Sequence, residues 1–249
     1  MRIGIIGFGA FGQLAAKHLA GSAEVVVTSR TDKSAAAKAI GCRQVSVKDA
    51  CNSDAVLICV PISSMKEILE EIGPLVKPGT LVMDSCSVKV KPCKLIASML
   101  PKDVEVLGTH PLFGPQSAAN GLHGLQVVMC PVRIGKARME KVKGLLNLAG
   151  LDAVVLSPEE HDREMARTQA ITHFVCKGLA AVPKPRHGLR LKSHEALMKA
   201  LANVKDDSER LFLDLQSQNP FAQGERKRFL SALAKIEERI GEQAQGGLM

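Results

Sequence analysis

Short apolar runs alternate with amphipathic stretches over the first 157 residues of the chain. A short apolar run predicts a buried strand, and apolar residues that recur every three or four positions predict a helix. Strands are predicted over residues 2–6, 24–28, 55–60, 80–84, 104–107, 125–130 and 153–156, and helices over 13–20, 34–40, 64–72 and 136–148. Strands that alternate with helices indicate an α/β fold with a parallel, doubly wound sheet of the Rossmann type.

The hydrophobic pattern changes at Ser157. This serine, Pro158 and Glu160 form a capping box, which is typical of a helix start. Beyond it the pattern predicts helices alone, over residues 158–182, 193–217 and 223–242. We therefore expect two domains, an α/β domain over residues 1–157 and an all-helical domain over residues 158–249.

A glycine-rich motif follows the first predicted strand and precedes the first predicted helix. It has the pattern Gly-x-Gly-x-x-Gly, in which the glycines permit a tight turn, the approach of a pyrophosphate and close packing of helix on strand. The motif predicts a dinucleotide site formed by Gly7, Phe8, Gly9, Ala10, Phe11 and Gly12.

The second predicted strand ends at Ser29, Arg30 and Thr31, where an NAD-binding domain usually carries an acidic residue. A guanidinium can bind a 2′-phosphate with two hydrogen bonds, and the two hydroxyls beside it can donate to the same phosphate. The sequence therefore favours NADP over NAD. Val60 and Pro61, at the end of the third predicted strand, are expected beside the nicotinamide half of the cofactor.

His110 stands in a stiff segment, residues 108–117, with a proline directly after it and another after Gly114. Because proline interrupts helices and sheet ladders, we expect an irregular loop that fixes His110 just past the carboxyl end of a strand. Ligands bind at that edge of open α/β sheets, and histidine is a common general base. Ser87 follows the preceding strand and reaches the same edge. The alternative is a tight turn in which His110 only bonds a backbone carbonyl.

Composition excludes several classes of protein. The seven cysteines include no Cys-x-x-Cys pair, which indicates reduced thiols in a cytoplasm and no metal site. No apolar run approaches the roughly 20 residues of a membrane span, and no secretory signal follows Met1. The net charge of +8 lies mainly on the first 157 residues and fits an anionic partner. The absence of Trp and Tyr disfavours nucleic acid.

Five motifs together resemble the prephenate/arogenate dehydrogenase family, particularly its shorter, plant-like arogenate branch. They are residues 7–12 with Ser29-Arg30, residues 84–89 (Asp-Ser-Cys-Ser-Val-Lys), residues 109–115 (Thr-His-Pro-Leu-Phe-Gly-Pro), His161-Asp162, and residues 169–173 (Gln-Ala-Ile-Thr-His). The likeness covers nearly the whole chain. It implies NADP-dependent oxidative decarboxylation of arogenate to tyrosine or of prephenate to 4-hydroxyphenylpyruvate, by a homodimer joined through its helical domains. It also implies a cytoplasmic location, or a plastid stroma in a plant lineage.

The resemblance implies roles for individual residues. His110 would draw the proton from the substrate hydroxyl while hydride leaves for the nicotinamide, and Ser87 would orient that hydroxyl or His110 itself. Gln169 and His173 would hold the substrate from the helical side, since residues four apart on an α-helix lie about 40° apart around its axis.

Two further substrate contacts follow from the resemblance. The bacterial Gly-Phe-Arg-Asp segment, which carries a substrate-binding arginine, is absent, so Lys192 and Arg190 are the candidate cations. Asp207, expected on a helix, matches the acidic residue that accompanies arogenate preference.

Two other classes stay open. A dehydrogenase of the 3-hydroxyacid type would need a catalytic lysine, for which Lys177 is the candidate, and would leave His110 without a role. A regulatory protein could bind NADP without catalysis, although it would have no need of His110, Ser87 and His173.

Overall fold

The computed structural model describes residues 1–182, 191–204 and 207–246. The chain divides into two compact units, Met1–His161 and Asp162–Met249. The division falls inside the helix that begins at Pro158, slightly later than the boundary expected from the sequence.

Unit 1 contains a single sheet of eight strands in the order β3-β2-β1-β4-β5-β6-β7-β8. The strands are β1 Arg2–Ile6, β2 Glu24–Thr28, β3 Arg43–Gln44, β4 Ala55–Ile58, β5 Leu81–Asp84, β6 Glu105–Pro111, β7 Gln126–Arg133 and β8 Asp152–Val155. Helices on both faces complete the α/β fold, so the predicted fold class is confirmed. They are α1 Ala10–Leu19, α2 Ser34–Ile40, α3 Val47–Cys51, α4 Met65–Ile72, α5 Val90–Met99 and α6 Lys136–Leu148. The helices predicted over 34–40 and 136–148 are confirmed residue for residue.

Both faces of the sheet are buried, which explains why its strands are continuously apolar. Ile6 and Val26 belong to the core on one face, whereas Ile5 and Val27 belong to the core on the other. Neighbouring residues of a strand point to opposite faces, so each strand supplies apolar side chains to both layers.

The sheet is not wholly parallel, and in this respect the prediction is wrong. Strand β7 runs antiparallel to β6, whereas the other neighbouring strands are parallel. No helix lies between β6 and β7. A parallel pair needs a crossover of a dozen or more residues, usually helical, and an antiparallel pair can be joined by a loop.

The irregular loop expected around His110 is also absent, because β6 continues through His110 to Pro111. Its parallel neighbour β5 ends opposite Gly108, and beyond that point β6 pairs only with β7, with His110 opposite Val128. A proline is compatible with a strand that has lost one neighbour. His110 therefore still lies past the carboxyl end of β5, but on a strand.

The predicted capping box is confirmed at the start of helix α7, Pro158–Met165. The Ser157 hydroxyl accepts a hydrogen bond from the Glu160 amide at 3.2 Å, and the Glu160 carboxylate accepts one from the Ser157 amide at 2.8 Å. The helix then continues through a π-helical turn, Ala166–Ala170, into α8, Ile171–Ala180.

The helix predicted over residues 193–217 is two helices, so that prediction is wrong. Helix α9 spans Lys192–Val204 and α10 spans Glu209–Ser217. Ser208 caps α10, because its hydroxyl accepts a hydrogen bond from the Leu211 amide at 3.1 Å. Asp207 consequently lies outside a helix. The last helix is α11, Ala222–Gly246. No described helix is long and apolar enough to cross a bilayer.

Candidate active site

The glycine-rich turn joins β1 to α1. Gly7 has φ of +99°, and a Cβ there would lie 2.5 Å from the Cys59 carbonyl oxygen. A Cβ on Gly12 would overlap the Gly7 carbonyl oxygen, whereas one on Gly9 would meet open space. Gly7 and Gly12 are thus required for the turn and its packing, and the backbone of Gly9 is open to an approaching ligand.

The other predicted contacts of this turn differ in exposure. The Phe8 side chain is buried in the core, which leaves only its backbone for a cofactor. Ala10 is exposed, and the ring of Phe11 lies 6.4 Å from that of Phe113, just after β6. Val60 lies against the turn, with a methyl carbon 2.9 Å from the position of a Gly7 Cβ, and Pro61 follows it. The turn and the end of β4 are therefore adjacent, as the cofactor prediction requires.

The segment that follows β2 carries Ser29, Arg30 and Thr31. Arg30 is exposed, and its guanidinium has no ion-pair partner among the described residues. The Ser29 hydroxyl accepts a hydrogen bond from the Thr31 amide at 3.4 Å. A solvent-facing guanidinium between two hydroxyls suits a phosphate group.

His110 is 3% exposed and contacts a second buried histidine, His161 of α7. The His110 Nδ1 and His161 Nε2 atoms are 2.8 Å apart, and the rings meet edge to face. Burial lowers the pKa of His110 well below its usual value, and His161 and Lys89 lower it further. All three influences oppose protonation of the imidazole. When its Nδ1–H donates to His161, its Nε2 keeps a free lone pair and can act as a base.

A fully buried ion pair lies beside His110. The Lys89 ammonium donates hydrogen bonds to the Asp84 carboxylate and, at 2.7 Å, to the Thr109 carbonyl oxygen. Thr109 in turn donates its hydroxyl hydrogen to the Asp84 carbonyl oxygen. Burial is the largest single influence on the pKa of Lys89 and lowers it, but Asp84, Cys86 and Cys93 together outweigh burial, so the pKa of Lys89 is raised. The pair fixes the end of β5 to the residue that precedes His110.

Ser87 lies in the segment between β5 and α5 and is half-buried. Its hydroxyl makes no hydrogen bond to His110 or to any other described residue. The structure therefore places Ser87 at the predicted edge without the expected contact to His110.

The candidate residues of unit 2 are only partly brought together. His173 is buried, and its Nε2 atom lies 3.6 Å from the Asp207 carboxylate. Burial lowers the pKa of His173, although Asp207 acts in the opposite direction. Gln169 belongs to the π-helical turn, so the spacing assumed for an α-helix does not apply to it. Its buried side-chain oxygen has no hydrogen-bond partner within the described part of the chain.

The candidate cations stand at and before the start of α9 in the sequence. Lys192 is the first residue of α9 and is exposed, without an ion pair to any residue that the structure describes. Arg190 lies outside the described residues.

Sequence reasoning missed the partners of His110. Two of the sequence motifs contain Lys89 and His161, but the sequence indicates no role for either residue. A lysine five residues after a buried strand's terminal aspartate is a usable signal for a buried ion pair. No spacing rule could place His161 beside His110, because the two residues are 51 positions apart.

A dinucleotide-type turn and a buried imidazole at the carboxyl edge of one sheet are typical of a nicotinamide-dependent dehydrogenase. Residues 15–156 match the prephenate dehydrogenase nucleotide-binding domain. The chain belongs to the prephenate dehydrogenase family, as the five sequence motifs predicted.

Individual relatives agree with this assignment. The chain is 33% identical to arogenate dehydrogenase 2, chloroplastic, of Arabidopsis thaliana over 96% of its own length and 70% of the relative's. It is 32% identical to arogenate dehydrogenase 1, chloroplastic, of the same plant, of which it spans 39%. Its fold is similar to that of prephenate dehydrogenase from A. aeolicus in complex with hydroxyphenyl propionate and NAD+. The TM-score is 0.77 at 20% identity, with 98% of this chain and 92% of that chain covered.

The family assignment goes against the 3-hydroxyacid alternative. Lys177, the candidate lysine of that alternative, forms an ion pair with Glu209 and lies over the Phe212 ring, 5.3 Å from its centroid. These contacts give Lys177 a structural role within unit 2.

Proposed function

We propose that the chain catalyses the NADP-dependent oxidative decarboxylation of arogenate to tyrosine, with prephenate as a poorer substrate. The observation that carries this proposal is the buried His110 and its hydrogen bond to His161. A neutral imidazole with one nitrogen committed to a partner is prepared to accept a proton at the other.

The reaction requires one base and one hydride acceptor. The substrate carries a hydroxyl and a hydrogen on one ring carbon and a carboxylate on the opposite carbon. His110 Nε2 accepts the hydroxyl proton as that carbon loses hydride, and the bond to the carboxylate then breaks to release carbon dioxide. Its electron pair completes the aromatic ring, and the ring oxygen takes its proton back from His110 to form the phenol. A bound nicotinamide supplies the oxidising power by accepting the hydride.

Ser87 supports the same step. Its hydroxyl is half-buried at the edge where β5 ends and forms no hydrogen bond within the described residues. In this proposal it donates to, or accepts from, the substrate hydroxyl and so directs it towards His110.

We propose NADP as the cofactor because of the segment after β2. Arg30 is exposed and carries no acidic partner among the described residues, and a carboxylate that would favour an unmodified ribose is absent from positions 29–31. The backbone of residues 7–12 would hold the pyrophosphate, with the side chains of Ser29, Arg30 and Thr31 on the 2′-phosphate.

The helical unit supplies the groups that distinguish the substrate side chain in this proposal. Asp207 attracts the ammonium group of arogenate, while Gln169 and His173 contribute an acceptor and a polar ring. Lys192 is proposed for a substrate carboxylate.

A homodimer through the helical unit completes the proposal. Helix α11 exposes a row of apolar side chains at intervals of three or four residues, namely Leu230, Leu233, Ile236 and Ile240, each between 45% and 58% exposed. Such a row on one helical face is typical of an association surface. We place the enzyme in the cytoplasm or in a plastid stroma.

One assay tests the proposal against its alternatives. The purified chain is mixed with arogenate or prephenate and with NADP or NAD, and formation of the reduced nicotinamide is followed by absorbance. We expect the highest kcat/KM with arogenate and NADP. Tight cofactor binding without turnover on either substrate would identify a regulatory protein instead.

A further inference from the structure

Strand β3 is only two residues long, yet it forms the edge of the sheet beside the proposed cofactor segment. It pairs in parallel with β2, with Arg43 opposite Val26 and Gln44 opposite Val27. Because β2 ends at Thr28, the side chain of Gln44 can reach the segment that directly follows β2.

Gln44 makes three hydrogen bonds to that segment, all to its backbone. Its amide nitrogen donates to the carbonyl oxygens of Ser29 at 3.4 Å and Thr31 at 3.1 Å. Its amide oxygen accepts a hydrogen bond from the Lys33 amide at 2.6 Å. One side chain therefore fixes the backbone on both sides of Arg30.

We propose that Gln44 is a positioning residue for cofactor choice, which holds residues 29–33 in the conformation that presents Arg30 and its flanking hydroxyls to a 2′-phosphate. This inference rests on the proposed NADP dependence. Gln44 would not touch the phosphate itself, since its amide is occupied by the backbone. It reduces the conformational freedom that Arg30 would otherwise lose on binding.

The chemistry of the side chain suits this role. A carboxamide both donates and accepts, and the segment offers two carbonyl oxygens and one amide. Glutamate in the same place could accept from Lys33 but could not donate to Ser29 and Thr31, and it would bring a negative charge towards the phosphate. Gln44→Glu should therefore impair NADP binding more than Gln44→Ala.

The neighbouring residue provides a matched control. Arg43 is exposed and pairs with Glu24 at 3.5 Å, and successive residues of a strand point to opposite sides. Arg43→Ala thus removes a side chain, and a cation, from the same short strand without removing a bond to residues 29–33.

The test is titration of the full chain with NADP, NAD and adenosine 2′,5′-bisphosphate. We expect Gln44→Ala to weaken NADP and the bisphosphate about tenfold, from the typical contribution of net hydrogen bonds, and to change NAD by less than twofold. Arg43→Ala should stay within twofold for all three ligands. An equal loss for NAD and NADP, or no loss for either, would overturn the inference.

A second comparison separates positioning from a merely structural role. Because Arg30 makes the charge-assisted contact in this proposal, Gln44→Ala should have a clearly smaller effect on NADP affinity in a chain that already carries Arg30→Ala. Additive losses would contradict the inference. A parent chain that prefers NADP in binding but shows no turnover would refute the proposed function alone. A parent that does not discriminate between the cofactors would refute both.

Discussion

The Nε2 atom of His161 lies 2.8 Å from the Nδ1 atom of His110, and both residues are buried. The pairing joins the end of β6 to the start of α7 within unit 1. It fixes the plane of the His110 ring and decides which of its nitrogens is available to a substrate. A histidine as the partner leaves the base uncharged, whereas a carboxylate would favour the protonated form.

Replacement of His110 tests its role as the base. His110→Ala should lower kcat by about 10²–10⁴-fold, the usual contribution of a positioned general base. NADP affinity should be retained, and Ser87→Ala should have a smaller effect on kcat. Steady-state kinetics and cofactor titration measure both quantities. Nearly full turnover by His110→Ala would move the role to another residue, with His173 as the next candidate.

The low pKa of His110 sets the expected dependence of activity on pH. Burial, His161 and Lys89 all lower this pKa, so the base stays neutral well below its usual value of 6.5. The acid limb of the kcat/KM profile should therefore lie below that value. A profile that falls as the pH drops through about 6.5 to 7 would show that His110 titrates as an ordinary histidine.

The same pKa affects stability. The unfolded chain binds a proton at His110 below about 6.5, while the folded chain resists it, so this contribution is present above that pH and is lost as the pH falls further. Urea unfolding between about pH 7.5 and 5.5, where carboxylates stay ionised, should show decreasing stability. His110→Asn should show a shallower decrease. Parallel decreases in the two proteins would assign the effect to other groups.

Arg30 should determine cofactor preference. Loss of a charge-assisted pair of hydrogen bonds typically costs about 2 kcal/mol, which is roughly thirtyfold in affinity. Arg30→Ala should raise the KM for NADP by about that factor and leave the KM for NAD almost unchanged. Kinetics with both cofactors provide the measurement, and an equal rise for both would rule out a 2′-phosphate contact.

Asp207 should determine substrate preference. A charge pair about 4 Å apart contributes roughly 4 kcal/mol at an effective dielectric constant near 20, before desolvation is subtracted. Asp207→Asn should therefore reduce kcat/KM for arogenate by more than about tenfold and raise it for prephenate. The side chain is 38% exposed, which reduces the effect. An unchanged ratio of the two efficiencies would make Asp207 a surface residue.

The sequence predicted most of the sheet because strands buried on both faces are continuously apolar, as in Val25, Val26 and Val27. It missed β3, since two residues cannot form a recognisable run. The prolines at positions 111 and 115 also predicted an irregular loop, whereas β6 continues to Pro111. That inference failed because β6 has lost one neighbour at this point, and only the register of the assembled sheet reveals that loss.

The sequence could predict those residues of the candidate site that belong to short local motifs. Gly7, Gly12 and His110 could be identified from their neighbours in the sequence, whereas the contact with His161 depends on how β6 and α7 fold together. In unit 2, Ser208 is a typical N-cap residue and could have indicated the start of α10. The apolar spacing on both sides of it is helical, however, and so predicted one continuous helix. The predicted helical position of Asp207 is therefore wrong.

The fully buried ion pair of Lys89 and Asp84 limits how these two positions can change during evolution. Substitution of one partner alone would leave the other as a buried charge without its counter-ion, which typically destabilises a protein by about 3–5 kcal/mol. Most natural proteins have little stability to spare beyond that amount. Sequences that have changed only one of the two residues would therefore be disfavoured. We expect the two positions to vary together among relatives. Replacement of the pair without this loss of stability requires a change at both positions.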